Sequence, residues 1–202
     1  KEIEKDLKSK NKGVLLFISD FSDIGDYDTV RKSLQRLTDK GLLIRLSKGV
    51  YYYPKHDEIL GILYPNTEQI ANAIAMRDQA RIIPTGLYAL HLLGISTQIP
   101  MNVVYLTDGS ARKIEIGNQT VLFKKTSPKN LSAKHKLSNL IIQGLRTIGE
   151  TNLTRNERSK IKEIVLNSGE IENVKEDIRY APIWIQKIVL EFFKEDQNEK
   201  LA

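Results

Sequence analysis

The chain has no cysteine. Disulfides, thiolate zinc sites and cysteine nucleophiles are therefore excluded, and a reducing compartment suits it. Histidine is nearly as scarce. His56, His91 and His135 have no histidine partner one helical turn away, so no metal centre is expected. His91 lies in an apolar helical pattern and reads as a core group, whereas His135 lies among lysines and reads as exposed. No apolar run approaches the length of a membrane span. There is no phosphate-loop spacing, internal repeat or low-complexity tract. The opening KEIEKDLKSKNKG is polar and lacks a signal-peptide pattern. Without an initiator Met it reads as a trimmed chain, and a cytoplasmic location is expected.

What is present is an ordinary globular composition with an uneven charge. The 202 residues suit one large or two small domains, with 41% hydrophobic and 28% charged residues. From Thr29 to Lys55 there are seven cations, Arg31, Lys32, Arg36, Lys40, Arg45, Lys48 and Lys55, against one acid, Asp39. That local excess equals the formal net charge of the whole chain, +6. A concentrated positive segment on a neutral background suggests a polyanion footprint, where scattered charge would suggest only a solvated face. The last 52 residues carry 9 cations and 10 acids, which makes them a poor place for nucleic acid.

The local pattern gives that charge a shape. Val30, Leu34 and Leu37 fall on one face of a helix. Asp26 is its expected N-cap, and Gly41 its stop. LLIRL and VYYY then alternate as two strands around SKG, with Gly49 free to take positive φ. Ile44, Leu46, Val50 and Tyr52 are expected to face the core, and Arg45, Tyr51 and Tyr53 to face away. Upstream, Phe17, Ile18, Phe21 and Ile24 predict a short helix, and Lys1–Lys10 an amphipathic one with Ile3 and Leu7 inside. Two helices followed by a ribbon spell a winged helix-turn-helix. In that motif the second helix enters the major groove and the ribbon grips the neighbouring backbone. Tyr27, Arg31, Lys32, Gln35 and Arg36 lie off the apolar face. Arg31 and Gln35 have the side chains that pair bidentately with guanine and adenine. Lys32, Arg36, Arg45 and Lys48 suit phosphates. Asp28 opposes this, because a carboxylate repels phosphate unless it accepts from a cytosine amino group.

The fold class expected is α+β: a winged helix-turn-helix domain over 1–58, a linker over 59–66, and a mixed α/β domain over 67–202 with a helical C-terminal part. In the second domain Thr67 is expected to cap one helix and Thr85 another. RIIP and NVVYLT read as strands, KIEI and TVLF as a hairpin around Gly117-Asn118, and Leu131–Ile148, Thr154–Leu166 and Tyr180–Lys194 as helices.

No enzyme is expected. Gly109-Ser110 is the pair that opens a nucleotidyltransferase site, but such a site needs two carboxylates two residues apart to hold magnesium, and only Glu115 is near. The pairs Glu170/Glu172 and Glu176/Asp177 read as solvated. Tyr88, Tyr105 and Trp184 read as core. No catalytic residue, metal or cofactor is assigned. A second basic patch of Arg112, Lys113, Lys124, Lys125 and Lys129, with Lys134 and Lys136 beyond it, is either a further contact for nucleic acid or an acidic partner, or a soluble rim.

The run ARIIPTGLYALHLLGISTQIPMNVVYLTDGSARKIEIGNQTVLFKKTSPKNL resembles the C-terminal region of AbiEi-type antitoxins, the transcriptional regulators of type IV toxin–antitoxin systems. VRKSLQRLTDKGLLIRLSKGVYYYP is similar to their winged helix, and YAPIWI also fits. The resemblance spans residues 14–131. It implies a repressor that binds inverted repeats of double-stranded DNA in its own promoter through Arg31, Lys32, Arg36, Arg45 and Lys48. It also implies an antitoxic region holding Thr85–Pro100 and the hairpin, which counters a nucleotidyltransferase-like toxin without needing to touch it. A stand-alone winged-helix regulator and a protein-interaction module without a toxin partner are the alternatives. No membrane association is expected.

Overall fold

The computed structural model describes residues 2–201, with side chains described over residues 2–195. Lys1, where the first predicted helix began, and Ala202, where the second predicted domain ended, lie outside the described residues. The fold is mixed α/β. It divides into two units, 1–77 together with 114–119, and 78–113 together with 120–202.

In the first unit, Ile3 and Leu7 recur at helical spacing and are buried on α1, Glu2–Ser9. β1, Val14–Phe17, runs into a single 3₁₀ turn, Ile18–Phe21. That turn replaces the short helix expected there, and of its residues Phe21 is the buried one. α2, Tyr27–Asp39, buries Val30, Leu34 and Leu37 and ends at Lys40. β2, Ile44–Ser47, and β3, Val50–Tyr53, follow. Their turn uses Gly49 at φ 75°, a left-handed conformation that a Cβ disfavours. The sheet order is β1-β3-β2, antiparallel throughout.

The strand parity differs from expectation. Tyr51, opposite Leu16 and Arg45, packs into the core with Phe21, Val30 and Leu34. Tyr52 is equally buried, but on the other face. There its hydroxyl is bonded to the Leu63 carbonyl and its ring stacks on Tyr64 at 6.4 Å. Phe17, on that same face, lies 4.6 Å under the Arg77 guanidinium. The sheet is thus covered on both sides, and alternation cannot mark a solvent face in a strand buried on both. A bulge between Arg45 and Ser47 further shifts the register of β2.

The segment 59–66, read as a linker, is partly ordered into strand. β4, Lys55–Asp57, pairs with β5, Gly61–Leu63. α3, Thr67–Arg77, follows within the same unit. Its cap is Asn66, not Thr67: Asn66 Oδ1 accepts from the Gln69 N–H at 2.8 Å, and the Asn66 N–H donates to Gln69 Oε1 at 2.8 Å. Thr67 is buried and its hydroxyl is bonded to the Gln119 side chain.

The second unit contains β6, Ile82–Thr85, α4, Leu87–Leu92, β7, Asn102–Thr107, and most of β9, Gln119–Lys125, whereas most of its hairpin partner β8, Arg112–Ile116, is counted with the first unit. The sheet order is β6-β7-β9-β8, with β6 antiparallel and β9 parallel to β7. Tyr88, Tyr105 and Phe123 form an aromatic row at 5.9 Å spacings. Thr85 is not a cap. It ends β6, and its hydroxyl donates to Gln143 Oε1 at 2.9 Å, while Gly86 begins α4.

The helical part holds α5, Lys136–Ile148, α6, Arg155–Asn167, α7, Ile171–Ile178, and α8, Ile183–Leu201. Thr154 and Glu157 make the capping box of α6. The four helices bury one core, from Ile141 and Leu145 through Ile161 and Val174 to Val189 and Phe192.

One acid expected to be solvated is fully buried. Asp177 on α7 accepts from the N–H groups of Lys134 at 3.0 Å and His135 at 2.8 Å, and lies 2.8 Å from His135 Nδ1. His135 is accordingly half-buried rather than exposed. Burial alone raises the Asp177 pKa, but the hydrogen bonds from His135 and Lys134 outweigh it and hold the carboxyl below its ordinary value. Its stabilisation is therefore present above the unfolded carboxylate pKa and is lost as pH falls through the lower folded value. Asp177→Ala should destabilise the protein by about 1–3 kcal/mol at neutral pH, measured by urea denaturation. The gap between variant and wild type should begin to narrow as pH falls below about 4.

Candidate nucleic-acid interface

The groove between α2 and the β2–β3 hairpin gathers five cations, Arg31, Lys32, Arg36, Arg45 and Lys48, while Lys40 and Lys55 of the same basic segment lie outside it. It holds about 260 Å³. Tyr27, Arg31, Lys32, Gln35 and Arg36 line it from α2, Arg45, Lys48, Gly49 and Tyr51 from the hairpin, and Ile18 from the 3₁₀ turn. All seven side chains expected to meet nucleic acid are thus brought to one concavity. Five of them are cations, and no carboxylate lines the walls. The cause is local. Burying Val30, Leu34 and Leu37 rotates residues 31, 32, 35 and 36 outward, and the Gly49 turn carries Arg45 and Lys48 up beside them.

The charges stay in water. Arg31, Lys32, Arg36, Arg45 and Lys48 are exposed, and so is Tyr27. The field in the groove is therefore cumulative and screened by salt, not a product of one desolvated pair. Three acids flank the helix. Asp28 lies 3.4 Å from Arg31 Nε, and Asp39 accepts from Gln35 Nε2 at 2.9 Å. Asp26 caps α2, accepting from the Thr29 N–H at 2.8 Å and from its hydroxyl at 3.1 Å. Asp28 and Asp39 escaped the sequence reading as partners, although their i,i+3 and i,i+4 spacings were the available signal.

The second basic patch is dispersed. Arg112 is ion-paired with Asp78 and lies 5.9 Å over the Phe123 ring. Lys113 also has a partner. Lys124 and Lys125 are consecutive on β9, so they point to opposite faces. Lys129 is exposed in a 3₁₀ turn, and Lys134 pairs with Glu176 at 3.7 Å. Gly109 has a packing reason, since a Cβ there would sit 2.7 Å from the Ala80 Cβ. Among the described residues no group of three or more histidines and carboxylates gathers as a metal site. No helix among them is long and apolar enough to cross a membrane.

The Thr29 N–H and hydroxyl hold the Asp26 carboxyl below its ordinary pKa. The cap's contribution is thus fully present above the ordinary carboxylate pKa and is lost as pH falls through the lower folded value. Asp26→Ala should speed amide exchange at Thr29 and lower the thermal midpoint at pH 7. At a pH low enough to protonate Asp26, wild type and variant should converge, as hydrogen exchange read by NMR would show.

No curated protein matches this chain. Its sequence matches the family of unknown function DUF6088 over residues 2–174, and the chain belongs to that family.

Proposed function

We propose that this protein is a DNA-binding transcriptional repressor whose first unit is a winged helix-turn-helix. The observation that carries the reading is the groove: five cations from a helix and a hairpin around one concavity without a carboxylate in its walls. The element order supports it. A helix, a strand, a short helical turn, a second helix and a two-stranded ribbon in β1-β3-β2 order are what that motif requires. In this reading α2 enters the major groove. Lys32, Arg36, Arg45 and Lys48 neutralise phosphates, while Arg31 and Gln35 reach base edges.

Following its resemblance to AbiEi-type antitoxins, the protein binds inverted repeats in its own promoter and serves as the antitoxin of a type IV system. The second unit then counters a nucleotidyltransferase-like toxin without obligatory contact. A neighbouring reading frame that arrests growth alone, and is rescued by this chain, is the test of that half. A frame that is not rescued leaves a stand-alone regulator. A protein-interaction module has one observation in its favour, the apolar tip of the β4–β5 turn, where Ile59 and Leu60 are 92% and 75% exposed. Capture of a partner by a protein with no affinity for duplex would favour it.

Gel shifts on the upstream DNA should show binding that falls with salt. Four phosphate contacts give a slope of roughly −3.6 in log K against log salt. Replacing Arg31 and Arg36 together by Ala should weaken binding by about a hundredfold or more. Unchanged binding would reject the groove as the DNA site.

A further inference from the structure

Two carboxylates beside a phosphate-binding helix need a reason. Asp28 and Asp39 repel the duplex that α2 is proposed to enter, and neither lines the groove. Helix stability does not account for both. Asp28 suits the first turn of α2, but Asp39 is its last residue, at the negative end of the helix dipole. What they share is a contact with one of the two base-reading side chains: Asp28 with Arg31 Nε, and Asp39 with Gln35 Nε2.

Those contacts leave specific groups uncommitted. A guanidinium has five N–H donors. With Nε–H turned to Asp28, the terminal nitrogens keep a two-donor fork, the pattern that matches guanine O6 and N7. A glutamine amide has two N–H donors and one carbonyl. With one N–H given to Asp39, the other remains beside the carbonyl, the donor–acceptor pair that matches adenine N7 and N6. Arg31 and Gln35 are four residues apart on α2, about 6 Å along its axis. That distance is close to two base-pair steps.

We propose that Asp28 and Asp39 are positioning residues for base readout, Asp28 holding Arg31 for a guanine and Asp39 holding Gln35 for an adenine within about two base pairs of it. This rests on the DNA-binding reading above. Specificity is gained at the expense of affinity: each acid weakens binding to all sequences and sharpens the preference at one position.

The test is selection of bound duplexes from a randomised library by the full chain, with Asp28→Ala, Asp28→Asn and Asp39→Ala beside wild type and circular dichroism to check the fold. Both Asp28 variants lose the charge, so both should bind arbitrary duplex more tightly. Only Ala lacks an oxygen to accept from Arg31 Nε. Asp28→Ala should therefore lose about three- to tenfold of the guanine preference, part of what one bidentate pair supplies, while Asp28→Asn retains most of it. Asp39→Ala should relax the adenine and leave the guanine. Identical base preferences for Asp28→Ala and wild type, or equal losses in Ala and Asn, would overturn the positioning role. Wild type that binds duplex with no base preference would overturn it as well and leave the DNA-binding reading standing. Failure to bind any duplex would instead overturn that reading itself.

Discussion

The apolar contact between α2 and the sheet is the constraint on which the rest depends. Val30, Leu34 and Leu37 sink into a core made with Leu16, Phe21, Leu43 and Tyr51. Helical geometry then leaves no choice about the other side, because residues one turn apart share a face and their neighbours do not. Arg31, Lys32, Gln35 and Arg36 are outward because the stripe is inward. A helix rotated by one residue would bury a guanidinium and expose a leucine, and both changes oppose folding.

The hairpin is held from behind as well as from the front. Tyr51 reaches the helices, and Tyr52 reaches the opposite face, where β5 and Tyr64 meet it. Neighbouring tyrosines on opposite faces fasten β3 between two layers. The turn bearing Lys48 and Gly49 therefore projects from a strand that is packed on both sides. A cationic groove holds its shape only if both walls are anchored, and here the aliphatic stripe anchors one and the tyrosines anchor the other.

The second unit uses charge differently. Its polar contacts are mostly spent on tying elements together. Asp177 joins the segment before α5 to α7, Arg158 spans Glu191 and Glu195 at 3.0 and 2.9 Å, and Arg112 is committed to Asp78. Lys124 and Lys125 point to opposite faces of β9, and Lys134 is paired with Glu176 at 3.7 Å.

Periodicity and punctuation determined the helix over Val30–Leu37, its Asp26 cap, the Gly49 turn and the pairing of KIEI with TVLF, since each depends on residues close in the chain. The seven groove side chains were legible for the same reason: one helix and the hairpin beside it supply them all. Tertiary structure alone decided which tyrosine faces the core, because both faces of that sheet are covered and alternation then carries no information. It also decided that Thr85 ends a strand and that Asp177 is buried, whereas the Asn66 cap of α3 rests on Gln69, three residues on, a local spacing present in the sequence. In Asp177 the acidic sequence around it predicted solvent, but its partners lie some forty residues away, and local patterns cannot report a hydrogen bond made across that distance. What a residue does in isolation was written along the chain, and what it does in company depended on which distant segments came to meet it.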